Sequence, residues 1–118
     1  MTDSGSDRVD RVERYASVIK LRPEHEAEYR RLHADVWPAV LDQIRKSGIV
    51  NYSIFLRDGL LFSYYEYTGS NHAADLAAMA DDPQTQAWWK LTDPCQQPVD
   101  TAAATQRWAP MTEVFHTE

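Results

Sequence analysis

Asp58-Gly59 stands between two runs of alternating character, Val50 to Arg57 (VNYSIFLR) and Leu60 to Thr68 (LLFSYYEYT), and this arrangement constrains the fold more than any other stretch. Both central residues of a two-residue hairpin turn must accept positive φ, which Asp and Gly tolerate, and the flanking period of two belongs to strands. An antiparallel pair therefore sits in the middle of the chain, and the remaining segments must cover it. On the first strand Tyr52, Ile54 and Leu56 oppose Asn51, Ser53 and Phe55. On the second, Leu60, Phe62, Tyr64 and Glu66 oppose Leu61, Ser63, Tyr65 and Tyr67. Large apolar groups on both faces of a sheet call for cover on both.

The segments on either side of the hairpin supply strands and helices in a simple order. Arg14 to Leu21 alternates as a first strand, and Pro23 suits the first turn of a helix whose start is acidic at Glu24 and Glu26, the sign the helix dipole favours. That helix is expected to reach about Ser47, with Leu32, Val36, Val40 and Ile44 as its apolar stripe and Tyr29 and Leu41 at the margins. Pro38 removes a backbone donor, so the helix should kink or restart there, and Gly48 suits a left-handed C-cap. After the hairpin, Ser70 or Asn71 can cap a helix over residues 71–80. Asp81-Asp82-Pro83 can cap another through Trp88-Trp89-Lys90, ending before Pro94. Residues 93–110 read as an irregular crossing, and Met111 to His116 as a last strand.

This order predicts a ferredoxin-like α+β fold, a βαββαβ sandwich with an antiparallel sheet and helices on one face. A second copy is the natural cover for the other face, the dimeric α/β-barrel arrangement, so a homodimer is expected. Residues 1–13 are polar and without periodicity and are predicted to be a disordered N-terminal arm, leaving 14–118 as a single domain.

Composition narrows the function classes. A chain of 118 residues is one ordinary domain. Its net charge of -6 and scattered cations offer no attraction to nucleic acid or anionic lipid. A lone cysteine, Cys95, excludes an internal disulfide framework, and no apolar run approaches a membrane span, so a cytoplasmic protein is expected. His25, His72 and His116 lie in separate contexts without metal-ligand spacing, and there is no Gly-rich phosphate loop; neither metal nor cofactor is expected.

The residues suited to chemistry begin with Tyr29 and His33, one helical turn apart and pointing the same way. On spacing alone such a pair is more often packing beside a surface imidazole than a catalytic pair. Asn51, Tyr52, Trp88 and Trp89 add flat apolar bodies and neutral polar tips, which suit ligands bearing many hydroxyls, such as sugars. Adjacent tryptophans project about 100° apart on a helix, so at least one belongs to the core. His33 is the nearby group that titrates near neutrality and can move a proton.

The ordered set EYRRLHADVWP, NYSIFL with its short hairpin, QAWWKLTD and MTEVFH, spread from Arg14 to about Phe115, resembles the L-rhamnose mutarotase family. The resemblance implies a small dimeric ferredoxin-like isomerase that interconverts the α and β anomers of L-rhamnopyranose without a cofactor. It also implies His33 as proton donor with Tyr29 beside it, and Tyr52, Trp88 and Trp89 as sugar contacts. The arm before Arg14 and the segment LTDPCQQPVDTAAATQRWAP depart from the enterobacterial members, which leaves open another 6-deoxy sugar such as L-fucose. A histidine near its ordinary pKa of about 6.5 suits a reaction that runs both ways. Tyr29, a water or a carboxylate such as Glu113 remain as the second proton acceptor. Two rival readings stand beside this one. A cofactor-independent monooxygenase of similar fold would use Asn51, and a non-catalytic module would only bind the sugar.

Overall fold

In a computed structural model describing residues 12–118, the chain opens with β1 (Glu13–Leu21), followed by a 3-10 turn (Pro23–His25), α1 (Glu26–His33) and α2 (Pro38–Lys46). The hairpin strands β2 (Ile49–Arg57) and β3 (Leu60–Tyr67) come next, then α3 (His72–Asp81) and α4 (Pro83–Thr92). A second 3-10 turn (Asp93–Cys95) leads to the short strands β4 (Gln96–Gln97) and β5 (Ala109–Met111). The arm expected over residues 1–13 lies, through residue 11, outside the described residues; Glu13 already belongs to β1.

Local chemistry accounts for the element boundaries. Asp58 and Gly59 adopt φ of 52° and 74°, the left-handed values a tight hairpin requires. Pro38 is the first residue of α2, where its missing N–H costs nothing, and Trp37 before it is extended, so the expected restart produces two helices. Gly48 follows α2 with φ of 80°, and a Cβ there would come within 3.1 Å of the Tyr67 ring. The Asn71 side chain accepts from the Ala74 N–H at 3.1 Å, and the Asp82 carboxylate accepts from the Thr85 N–H at 2.9 Å, capping α3 and α4.

The strands form one sheet in the order β2-β3-β1-β4, with β5 also paired to β1, and all pairings are antiparallel. This is the ferredoxin-like arrangement with its last strand split into two pieces. The strand expected over Met111 to His116 is instead Gln96–Gln97 and Ala109–Met111, and residues 112–118 form no regular structure. Past Met111 the chain is tied to β1 by the Arg14–Glu113 ion pair at 2.8 Å rather than by ladder bonds.

A bulge alters the expected faces of β2. The ladder shifts between Val50 and Ser53, and Asn51 takes φ of 51°, so Asn51 and Tyr52 together stand opposite Tyr65. Upstream of the bulge the alternation reverses: Ile49 is 3% exposed on the helix side and Val50 38% exposed on the other. Downstream, Tyr52, Ile54 and Leu56 keep their predicted face.

Two apolar clusters result. Ile19, Leu21 and Leu61 of the sheet pack with Tyr29 and Cys95, while Leu32, Val40 and Trp88 form a second cluster joined by Val36, Trp37, Ile44 and Trp89. The stripe residues Leu32 and Val40 thus pack on Trp88 of α4 while Tyr29 reaches the sheet, which leaves a space between the clusters. The opposite sheet face carries no helix, and Phe55 and Met111 on it are 63% and 40% exposed. No helix among the described residues is long and apolar enough to cross a membrane.

Candidate active site

The space between the clusters is an open cavity of about 980 Å³, lined by Tyr29 and His33 of α1, Val40 and Ile44 of α2, Tyr52, Ile54 and Leu56 of β2, and Trp88 and Trp89 of α4. That volume is at the upper end of the roughly 300–1,000 Å³ of small-molecule sites. Five of the six residues expected at the site, all but Asn51, therefore meet in one place.

His33 is oriented by its own helix. Its ring stacks on Tyr29 with centroids 4.2 Å apart, meets the edge of Trp88 at 5.4 Å, and places Nδ1 2.9 Å from the Tyr29 carbonyl oxygen. A carbonyl only accepts, so Nδ1 carries a proton and Nε2 is the atom that exchanges one. Burial lowers the pKa from its ordinary 6.5, outweighing the carbonyl bond that raises it. The expectation of an unperturbed histidine is corrected accordingly: the resting imidazole is neutral at neutral pH and ready to accept at Nε2.

Tyr29 is 5% exposed, inside the sheet cluster rather than at the margin of a helical stripe, because α1 lies over Ile19, Leu21 and Leu61. Its hydroxyl accepts from Gln96 Nε2 at 3.0 Å. Burial raises its pKa against the opposing pull of that donor, so the phenol keeps its proton at neutral pH.

Tyr52 faces the cavity with Ile54 and Leu56, as strand alternation places it, and meets Tyr65 edge-on, with centroids 5.7 Å apart. As a wall of an open cavity it is 43% exposed, yet protein atoms crowd its phenol, and desolvation pushes the pKa to about 12. Asn51, the other bulge residue, turns the opposite way: its Nδ2 donates to Glu66 Oε1 at 2.8 Å, outside the cavity lining. Trp88 is 6% exposed and also braced edge-on by Trp37 at 5.3 Å, whereas Trp89 is half-buried. Glu113, one candidate for a second proton acceptor, is held by Arg14 in a separate depression.

The remaining wall consists of Asp93, Gln96, Arg107 and Trp108, none of which the sequence singled out. Arg107 Nη2 donates to the carbonyl oxygens of Asp93 at 2.9 Å and Gln96 at 3.3 Å, closing the segment on itself. The available signal was Pro94, which ends α4, but nothing local reveals where the following chain returns. Asp93 is the sole carboxylate lining the cavity among the described residues. Taken together, the cavity offers one proton-exchanging imidazole, neutral hydrogen-bonding phenols and indole faces.

The sequence profile of L-rhamnose mutarotase matches residues 14–117. An L-rhamnose mutarotase from Jannaschia sp. is 34% identical over 108 residues, covering 89% of this chain and 98% of the relative. The crystal structure of an L-rhamnose mutarotase from Formosa agariphila superposes with a TM-score of 0.71 at 26% identity, covering 90% of this chain and 99% of that one. A structure from Caulobacter crescentus described as an antibiotic biosynthesis monooxygenase superposes with a TM-score of 0.55 at 13% identity, covering 75% and 81%, which shows a shared fold alone.

Proposed function

The chain belongs to the L-rhamnose mutarotase family, and we propose that its cavity interconverts the α and β anomers of L-rhamnopyranose by opening and reclosing the ring. The observation that carries this reading is the Tyr29–His33 stack at 4.2 Å with Nδ1 of His33 committed to a carbonyl, which leaves Nε2 to exchange protons. Opening a hemiacetal takes a proton from the anomeric hydroxyl, breaks the bond from the anomeric carbon to the ring oxygen, and delivers a proton to that oxygen. The aldehyde then rotates and closes on its other face. Neutral His33 accepts the first proton and, as imidazolium, donates it to the ring oxygen. Both oxygens are bonded to the same carbon, so one imidazole serves both and a separate second acceptor is not required. Tyr29 and Tyr52 hydrogen-bond the sugar hydroxyls, and Trp89 stacks on a C–H face.

Saturation transfer between the anomeric proton resonances of L-rhamnose tests this directly. The enzyme should accelerate exchange far above the spontaneous rate, and more for L-rhamnose than for L-fucose. Binding without acceleration would leave a sugar-binding module, and oxygen uptake with an electron-rich aromatic substrate would favour a monooxygenase. A larger effect on L-fucose would keep the chemistry and change the substrate.

Two copies are further proposed to pair through the helix-free sheet face. Supporting this are Phe55 and Met111 on that face and, in the tail beside it, Val114 and Phe115 at 93% and 78% exposed. Sedimentation at micromolar concentration should give about twice 13.6 kDa. A monomer with full activity would remove the idea.

A further inference from the structure

Gln96 stands where the least regular wall of the cavity meets Tyr29. It is 5% exposed, its backbone pairs with Leu21 of β1, and its carbonyl is held by Arg107 at 3.3 Å. Its Nε2 donates to the Tyr29 hydroxyl at 3.0 Å. A phenol oxygen that accepts from an amide still has its own proton to give, and among the described residues that proton meets no acceptor. Gln96 Oε1 is likewise without a partner among them, and none of their buried side-chain oxygens or nitrogens lacks one, so Oε1 opens on the cavity that Gln96 lines.

We propose that Gln96 is a positioning residue that sets hydroxyl specificity: it fixes Tyr29 as a hydrogen-bond donor toward the sugar and presents Oε1 beside it as an acceptor. One sugar hydroxyl, which both donates and accepts, satisfies the pair. An ether at that carbon accepts from Tyr29 but leaves Oε1 unpaired, and a hydrogen or an inverted hydroxyl leaves both unpaired, which is how a buried polar pair rejects a close analogue. This assignment rests on the reading of the cavity as the sugar site and adds to it a residue and a direction for each hydrogen bond.

Exchange kinetics of Gln96→Glu and Gln96→Leu, each alone and combined with Tyr29→Phe, test it, with circular dichroism reporting the fold. A carboxylate only accepts, so Gln96→Glu captures the phenolic proton and turns Tyr29 into an acceptor toward the sugar. It should lower kcat/KM by about 10–100-fold, against about 3–10-fold for Gln96→Leu, which removes the amide but leaves Tyr29 able to donate. In the Tyr29→Phe background no phenolic proton is left to capture, so the Gln96→Glu penalty should fall to that of Gln96→Leu or below it, and the Gln96→Leu penalty should itself shrink. Should the Glu variant fail to fold, the cycle between Gln96→Leu and Tyr29→Phe still decides: strictly multiplicative effects overturn the proposal. Equal losses for Glu and Leu with Tyr29 present overturn it as well. If Tyr29→Phe alone exchanges anomers at the wild-type rate, Tyr29 is not a sugar contact and the proposal falls while the mutarotase reading stands. A wild-type protein that accelerates no exchange sinks that reading itself.

Discussion

The two walls of the cavity are built by opposite means. On one, α1 and α4 set Tyr29, His33, Trp88 and Trp89 at helical spacing, and the rings of Tyr29, His33 and Trp88 are braced by other rings or by a backbone carbonyl. On the other, Asp93, Gln96, Arg107 and Trp108 come from chain that is mostly irregular, pinned by Arg107 and by a two-residue strand. The difference teaches where accuracy is needed. Proton transfer demands a fixed donor–acceptor geometry, which a helix supplies through its own backbone. Reading hydroxyls demands polar groups at odd angles, which an irregular segment supplies at the cost of local stability.

If the helical wall performs the chemistry, its loss should be the largest effect. His33→Ala should slow anomer exchange by about 10²–10⁴-fold, the usual contribution of a general acid-base group, with the circular dichroism spectrum retained because the ring is only half-buried. A variant within a few-fold of wild type would make His33 a bystander and move the chemistry elsewhere in the cavity.

The pH profile sharpens the same wall. Burial lowers the His33 pKa from 6.5, so the neutral imidazole persists into mildly acidic solution. The enzymatic rate, corrected for spontaneous exchange, should hold through neutrality and fall about tenfold per pH unit below a midpoint lying under 6.5. Stability follows the same sign. The unfolded chain binds the proton more tightly, so the His33 contribution is complete above the unfolded pKa and is lost as pH falls through the folded one. A midpoint at or above 6.5 would contradict the buried, carbonyl-bonded imidazole.

The tryptophans divide the helical wall into a structural and a binding part. Trp88, packed with Leu32 and Val40, should cost about 1–3 kcal/mol of stability as Trp88→Phe, measured by denaturant unfolding. Half-buried Trp89 should lose about 3–10-fold in sugar affinity as Trp89→Phe, with little change in unfolding midpoint. Equal and purely structural losses at both positions would remove stacking from the account.

The smallest effect is expected on the irregular wall. Arg107→Ala removes two hydrogen bonds to backbone carbonyls, both from a partly exposed side chain, and should cost only about 1 kcal/mol. Its signature is local: faster amide exchange over residues 96–109 and a few-fold rise in KM, with the helices unaffected. A global loss of stability would show that this wall is part of the core and erase the contrast.

Much of the fold was legible because its signals act within a few residues. Asp58-Gly59, Gly48, Pro38, Asn71 and Asp82 each impose a backbone angle, remove a donor or cap a helix, and each lies at the boundary expected of it. His33 and Tyr29 were legible as a pair for the same reason, since one turn of helix brings them together. Asn51 does not join the cavity because strand alternation sets it opposite Tyr52, where its side chain turns to Glu66, and what a bulge hid from local pattern is the reversed burial of Ile49 and Val50.

What the amino-acid order determined by itself was therefore the list of elements, their ends and the residues able to do chemistry, all consequences of steric and hydrogen-bonding preferences between near neighbours. Tertiary structure alone decided that α1 and α2 lean on α4 and leave a cavity over the sheet, that Tyr29 is buried, and that Glu113 belongs to Arg14. It alone brought Gln96 to Tyr29 across 67 residues of sequence. Such contacts are set by how whole faces pack once the chain has closed on itself, and no local preference encodes which distant group will fill the remaining hydrogen bond.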